Sequence, residues 1–120
     1  MKKLLPTVLL IMWNSCFAQS LTQLEKECYL KNADACFNLA VKYEQGQYIS
    51  KDTFKAVEFY QKSCEGGNAG GCNNLAWAYS EGVGVRLDKS KALLFYGKAC
   101  DLKNQTACDN YASLKNIGIK

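Results

Sequence analysis

The sequence predicts an all-α chain, an α-α superhelix of antiparallel helix pairs stapled by disulfides, and three observations carry that prediction. Cys28, Cys64 and Cys100 lie 36 residues apart, and so do Cys36, Cys72 and Cys108, eight residues further on. A fixed period of this size marks a repeat solenoid, and a cysteine pair in every period marks a covalent staple in every repeat. Within each period the apolar residues recur at helical spacing. Placing 28–63 above 64–99 without a gap gives about fifteen identities in 36 positions.

The elements follow in order. Helix 21–30 ends before Asn32, which stands with Asn68 and Asn104 where an N-cap side chain accepts a bond from an otherwise unpaired backbone N–H. Helix 33–45 carries Cys36, Leu39, Ala40 and Tyr43 at i, i+3, i+4 and i+7, and Gly46 follows it at the place where a left-handed residue stops a helix. Helix 52–65 opens at Asp52 and carries Ala56, Phe59, Tyr60 and Cys64. Helices 69–81 and 88–101 repeat the pair, with Gly82 and Asp88 as their marks. Helix 105–116 repeats only the first half and is followed by Gly118. Small alanines alternate with aromatic residues, which lets facing helices approach and fills the space beside them.

Six cysteines allow fifteen connectivities. The symmetry of the repeat favours Cys28 with Cys36, Cys64 with Cys72, and Cys100 with Cys108, each clamping the tight turn between two helices. Each short closed loop stabilises by roughly 2–3 kcal/mol in the chain-entropy model. Such staples explain how two and a half repeats fold where about three are normally needed.

The start of the chain has a different character. Lys2 and Lys3 precede an apolar run from Leu4 to Trp13, and Cys16-Phe17-Ala18 follows, the pattern of a secretory signal peptide over 1–18 with cleavage after Ala18. The run is too short for a stable membrane span. Trp13-Asn14-Ser15 is a poor approach for lipoprotein processing at Cys16, which wants a compact aliphatic three residues earlier. Cleavage removes the odd seventh cysteine and leaves a repeat domain over 19–120 with six, in keeping with export to the periplasm or the exterior. The whole chain carries a formal charge of +4, and losing both leader lysines leaves it near +2 with the charges interspersed. No nucleic-acid footprint follows from that balance.

The segments Cys72-Asn-Asn-Leu-Ala76, Tyr79, Glu81-Gly-Val-Gly-Val85, Asp88, Lys91-Ala92, Phe95-Tyr96 and Lys98-Ala99-Cys100 resemble the Sel-1-like repeat proteins, helix pairs related to tetratricopeptide repeats. The paired cysteines are similar to those of the secreted, cysteine-rich bacterial subfamily. The resemblance implies an α-solenoid over units 28–63 and 64–99 and a half unit 100–120, with each helix pair disulfide-linked. In the first unit Gln47-Tyr48-Ile49 replaces Val-Gly-Val. The resemblance also brings a penicillin-binding or β-lactamase activity, and hence a β-lactam or cell-wall fragment as ligand.

The residues offer little for such chemistry. There is no histidine, which removes the commonest general base and the usual zinc ligand. The mature chain has no Ser-x-x-Lys, Lys-Thr-Gly or Ser-Asp-Asn, and neighbouring Ser90 and Lys91 would point to different faces of a helix. No catalytic residue, metal or cofactor is assigned. A binding module is the better expectation: a concave face lined by the first helix of each unit, holding a protein or peptide. Its candidate contacts are Asn38, Asn74 and Asn110, whose amides can pair with an extended backbone, and Phe37, Val41 and Trp77 as apolar anchors. The same asparagines can instead bond between turns or face solvent, and Trp77, in the place of Val41 and Ser113, can instead fill a gap against the next helix. A periplasmic immunity or regulatory protein for a partner enzyme is a further alternative. A half unit without its second helix should expose apolar surface at that end.

Overall fold

The structure is a computed structural model and describes residues 21–120. The expected signal peptide, its expected cleavage site and Cys16 lie outside the described residues. Among them are six helices and no strand: α1 (21–29 as described), α2 (Ala33–Gln45), α3 (Thr53–Glu65), α4 (Ala69–Glu81), α5 (Lys89–Asp101) and α6 (Gln105–Asn116). The expected spans hold to within a residue. The small differences are at Leu30, which forms a turn after α1, and at Asp52 and Asp88, which stand just outside their helices with extended backbone (φ −147° and −156°).

Cap chemistry accounts for that precision. Asn32, Asn68 and Asn104 accept from the N–H groups of Ala35, Gly71 and Ala107 at 3.1, 2.8 and 2.9 Å. Asp52 and Asp88 accept from Lys55 and Lys91, both at 3.0 Å. Each cap satisfies a donor that the helix itself leaves unpaired. Gly46 and Gly82 end α2 and α4 in the left-handed region, at φ 70° and 69°. The third copy differs slightly, because α6 ends one residue sooner and Gly118 N–H bonds to the Lys115 carbonyl, tightening the last turn.

The helices stack so that the α2–α3 and α4–α5 pairs pack more extensively than the α3–α4 and α5–α6 junctions. Leu39, Ala40, Leu75, Ala76, Ala92 and Ala99 are wholly buried between them. Tyr43 stacks on Phe59 with ring centroids 5.5 Å apart, and Tyr79 stacks on Phe95 at 5.8 Å, so one aromatic pair joins the two helices of each unit. Lys55 and Lys91 cover the outer faces of Tyr43 and Tyr79 at 5.4 and 5.3 Å.

The disulfides are the three expected ones, Cys28–Cys36, Cys64–Cys72 and Cys100–Cys108, with Cα atoms 4.5, 4.4 and 4.6 Å apart. They tie α1 to α2, α3 to α4 and α5 to α6. The central one thus reinforces a junction between units, where packing is sparser, and leaves the aromatic-joined pairs to hold themselves.

That central junction is close. A Cβ added at Gly71 would collide with the Ser63 hydroxyl and lie 2.9 Å from Ser63 Cβ. One repeat later the same two places hold Ala99 and Ala107, both buried. Gly71→Ala gains about 1 kcal/mol of helix propensity, but overpacking costs typically 1–3 kcal/mol. The single variant is expected to unfold at lower urea, by about 1 kcal/mol, and adding Ser63→Ala should recover most of that loss in a double-mutant cycle. Additive effects would count against this packing.

Candidate binding face

Asn38, Asn74 and Asn110 occupy the same register on α2, α4 and α6. Their surroundings differ. Asn38 is exposed and shares a depression of about 460 Å³ with Val41, Leu24, Gln23, Lys42 and Gln47. Asn74 is half-buried and lies with Trp77 in a crevice of about 30 Å³, closed by Glu44 from α2, Thr53, Val57 and Tyr60 from α3, and Val83. Asn110, also half-buried, lines neither. The three asparagines therefore do not share one hollow.

The apolar candidates divide in the same way. Phe37 packs inward, its ring 5.8 Å from that of Tyr60 and against Gly70. Val41 is half-buried beside Asn38. Trp77 keeps 45% of its surface exposed, so it rims the crevice without plugging it.

Glu44 and Tyr60 are functional candidates that the sequence analysis passed over. The Tyr60 hydroxyl donates to Glu44 Oε2 at 2.9 Å, linking the end of α2 to α3. The Tyr60 phenol is held above its ordinary range, first by burial and then by its bond to Glu44, with Asn74 opposing. Burial raises Tyr96 as well, with Glu81 adding to it. At ordinary pH Tyr60 thus meets Glu44 as a neutral donor, as an unshifted phenol also would. A signal was present in the chain, since Glu44 breaks the repeat where the next copy has Ser80, but nothing in sequence places it against a tyrosine sixteen residues on.

One serine and lysine do come together. Lys89 Nζ donates to the Ser80 carbonyl at 3.2 Å and to Ser80 Oγ at 3.4 Å. A nucleophile and its base need an approachable oxygen and a lysine nitrogen free to accept a proton. Here the hydroxyl is buried and the nitrogen is spent as a donor to a carbonyl, so the pair ties the end of α4 to the start of α5. Among the described residues no cluster of histidine, cysteine, aspartate or glutamate is placed to hold a metal. No described helix is long and apolar enough to cross a membrane.

Of the surface expected at the half unit, Ala112 lies open where its counterparts Ala40 and Ala76 are fully buried, whereas exposed Leu94 and Ile117 stand at positions that are exposed in the complete units too.

A face built from repeated first helices and clamped by a disulfide at every second turn defines a cysteine-rich α-solenoid scaffold. Residues 33–68 and 69–104 each match the Sel1 repeat model, in which a unit begins at the first helix, and the chain belongs to the Sel1 repeat family. Among solved structures it is similar to cysteine rich protein B of Helicobacter pylori, with 34% identity, a TM-score of 0.72, and 74% of this chain and 67% of that one covered. It is also similar to a Sel1 repeat protein from Oxalobacter formigenes (27% identity, TM-score 0.80, 82% of this chain covered). A third is c5321, a protective antigen of uropathogenic Escherichia coli with this type of fold (27% identity, TM-score 0.76, 82% of this chain covered). The chain spans only 41% and 21% of the length of those last two. No curated protein matches. Disulfide-clamped repeats are suited to an oxidising compartment.

Proposed function

We propose that this protein is an exported scaffold, periplasmic or extracellular after cleavage behind Ala18, that holds an extended segment of a protein partner along the face made by α2, α4 and α6. The observation that carries this reading is Trp77. It is the exposed aromatic residue on the middle first helix, at 45%, and it stands at a small, mostly apolar crevice into which Asn74, Glu44 and Tyr60 bring polar groups. An aromatic anchor next to groups that can pair with peptide amides is the arrangement found at binding hot spots. Asn38 and Val41 extend the same face on α2, and Asn110 continues it on α6. Phe37 supports it from beneath, through Tyr60. Its depression at Asn38 adds room for a neighbouring side chain.

Hydrolysis of a β-lactam is no part of this reading, because the Ser80–Lys89 pair is a structural tie. Nitrocefin turnover by the purified oxidised protein should not exceed that of a mock preparation.

The test is selection of displayed random peptides on oxidised protein, followed by titration with synthetic copies. Trp77→Ala combined with Asn74→Ala is expected to weaken their binding at least about tenfold, since truncating one hot-spot aromatic typically costs about 2 kcal/mol. Unchanged affinity would remove this face from consideration.

A further inference from the structure

The crevice beside Trp77 differs from its copy one repeat later by an exchange of charge. In the second unit the two places are Ser80, near the end of α4, and Lys89, which opens α5 and places its ammonium on the Ser80 carbonyl and hydroxyl. In the first unit the same two places are Glu44 and Thr53, and both line the crevice. The chain thus seats its own ammonium in one copy. In the other, it has an acid at the receiving position and no lysine opposite.

Glu44 is not otherwise neutralised. Among the described residues the sole ion pair within 4.0 Å is Lys62 with Glu58, so no lysine or arginine nitrogen reaches the Glu44 carboxylate. Its contact inside the protein is the neutral Tyr60 hydroxyl. Glu44 is also the next-to-last residue of α2, at the helix end whose partial charge favours cations. The Trp77 ring stands at the rim, and indole is the best of the aromatic faces for a cation and its aliphatic stem. In the second unit the copy of this place is reached by an ammonium on the four-carbon stem of Lys89.

We infer that this crevice is a specificity pocket for a lysine side chain of the bound peptide, with Glu44 as its counter-ion and Trp77 against its stem. The inference rests on the reading of this face as a peptide site. It assigns to the partner a lysine that takes the role Lys89 plays within the chain.

The experiment uses peptides selected on the oxidised wild-type protein, each position replaced in turn by lysine, arginine, norleucine or glutamate, with affinity read by fluorescence anisotropy. At one position lysine is expected to bind about fivefold tighter than norleucine, the factor one partly exposed ion pair supplies. Glutamate there should be worse still. Glu44→Gln, which still accepts from Tyr60, should abolish the difference between lysine and norleucine. So should Thr53→Lys, which places the second unit's lysine in the first; thermal melts of both variants check that the fold is kept. Peptides that bind through Trp77 with no lysine preference would overturn the inference and leave the peptide-binding reading intact. A lysine preference that survives both variants would place the counter-ion elsewhere and also overturn it. Selection of no peptide at all would bring down the reading and the inference with it.

Discussion

Replacing Cys64 and Cys72 together by alanine is expected to destabilise the protein by about 3 kcal/mol. Closing a loop with the cysteines eight residues apart restricts the unfolded chain by roughly 2.5 kcal/mol in the entropy model. Both side chains are almost wholly buried, so the lost sulfurs add a small packing deficit. For a domain of this size the thermal midpoint should fall by roughly 10–20 °C. The shape of the transition is the more telling readout. This disulfide spans the α3–α4 junction, which packs less extensively than either neighbouring pair. Stability in a solenoid is a sum of unit terms and nearest-neighbour terms, and weakening one neighbour term uncouples the units. Circular dichroism melts should therefore broaden or split. Reduction of all three disulfides removes about three times as much, which is comparable to the whole stability of a small domain, and should leave no cooperative transition. A reduced protein that melts like the oxidised one would refute this account.

Gly84→Ala is the second large expected effect, at about 2–4 kcal/mol by urea denaturation. The residue sits at φ 73°, where an L side chain is disfavoured by about 1–2 kcal/mol. A Cβ there would also strike the Thr53 carbonyl and lie 2.8 Å from a Val57 methyl, so backbone as well as side chain must shift. One repeat earlier the same place holds Tyr48, also left-handed at φ 61°. The loop keeps its geometry although Gln47-Tyr48-Ile49 replaces Val-Gly-Val. Tyr48 is tolerated because it is 79% exposed, whereas Gly84 packs on the preceding unit's second helix. Tyr48→Gly should accordingly change stability by less than about 0.5 kcal/mol. Relief of the backbone is offset by the greater freedom of glycine in the unfolded chain and by loss of the Lys42 contact, 5.5 Å from the Tyr48 ring centroid. Similar costs at the two positions would show that conformation alone, and not packing, sets the requirement for glycine.

Much of the fold was legible because the forces that set it are local. A cap needs an asparagine or aspartate three residues before the N–H it receives, and a helix face needs apolar residues three or four apart. Both can be read along the chain, as the bonds from Asn32, Asp52, Asn68, Asp88 and Asn104 show. The disulfide partners were legible for a related reason, since the repeat offers each cysteine a partner across one short turn. The candidate site was legible only as a set of repeat positions. Phe37 and Trp77 look alike as aromatic residues on first helices, yet one packs against Tyr60 and Gly70 and the other stays open.

What the sequence determined by itself is the helix count, the helix ends, the pairing of six sulfurs and the 36-residue register, all fixed by contacts between near neighbours in the chain. What only the tertiary structure decided is which side chains meet across helices: Tyr60 on Glu44, Lys89 on Ser80, and Trp77 left at the rim. Those meetings depend on how adjacent units are set against each other. That setting comes from the summed packing of many side chains, which no local period in the sequence encodes.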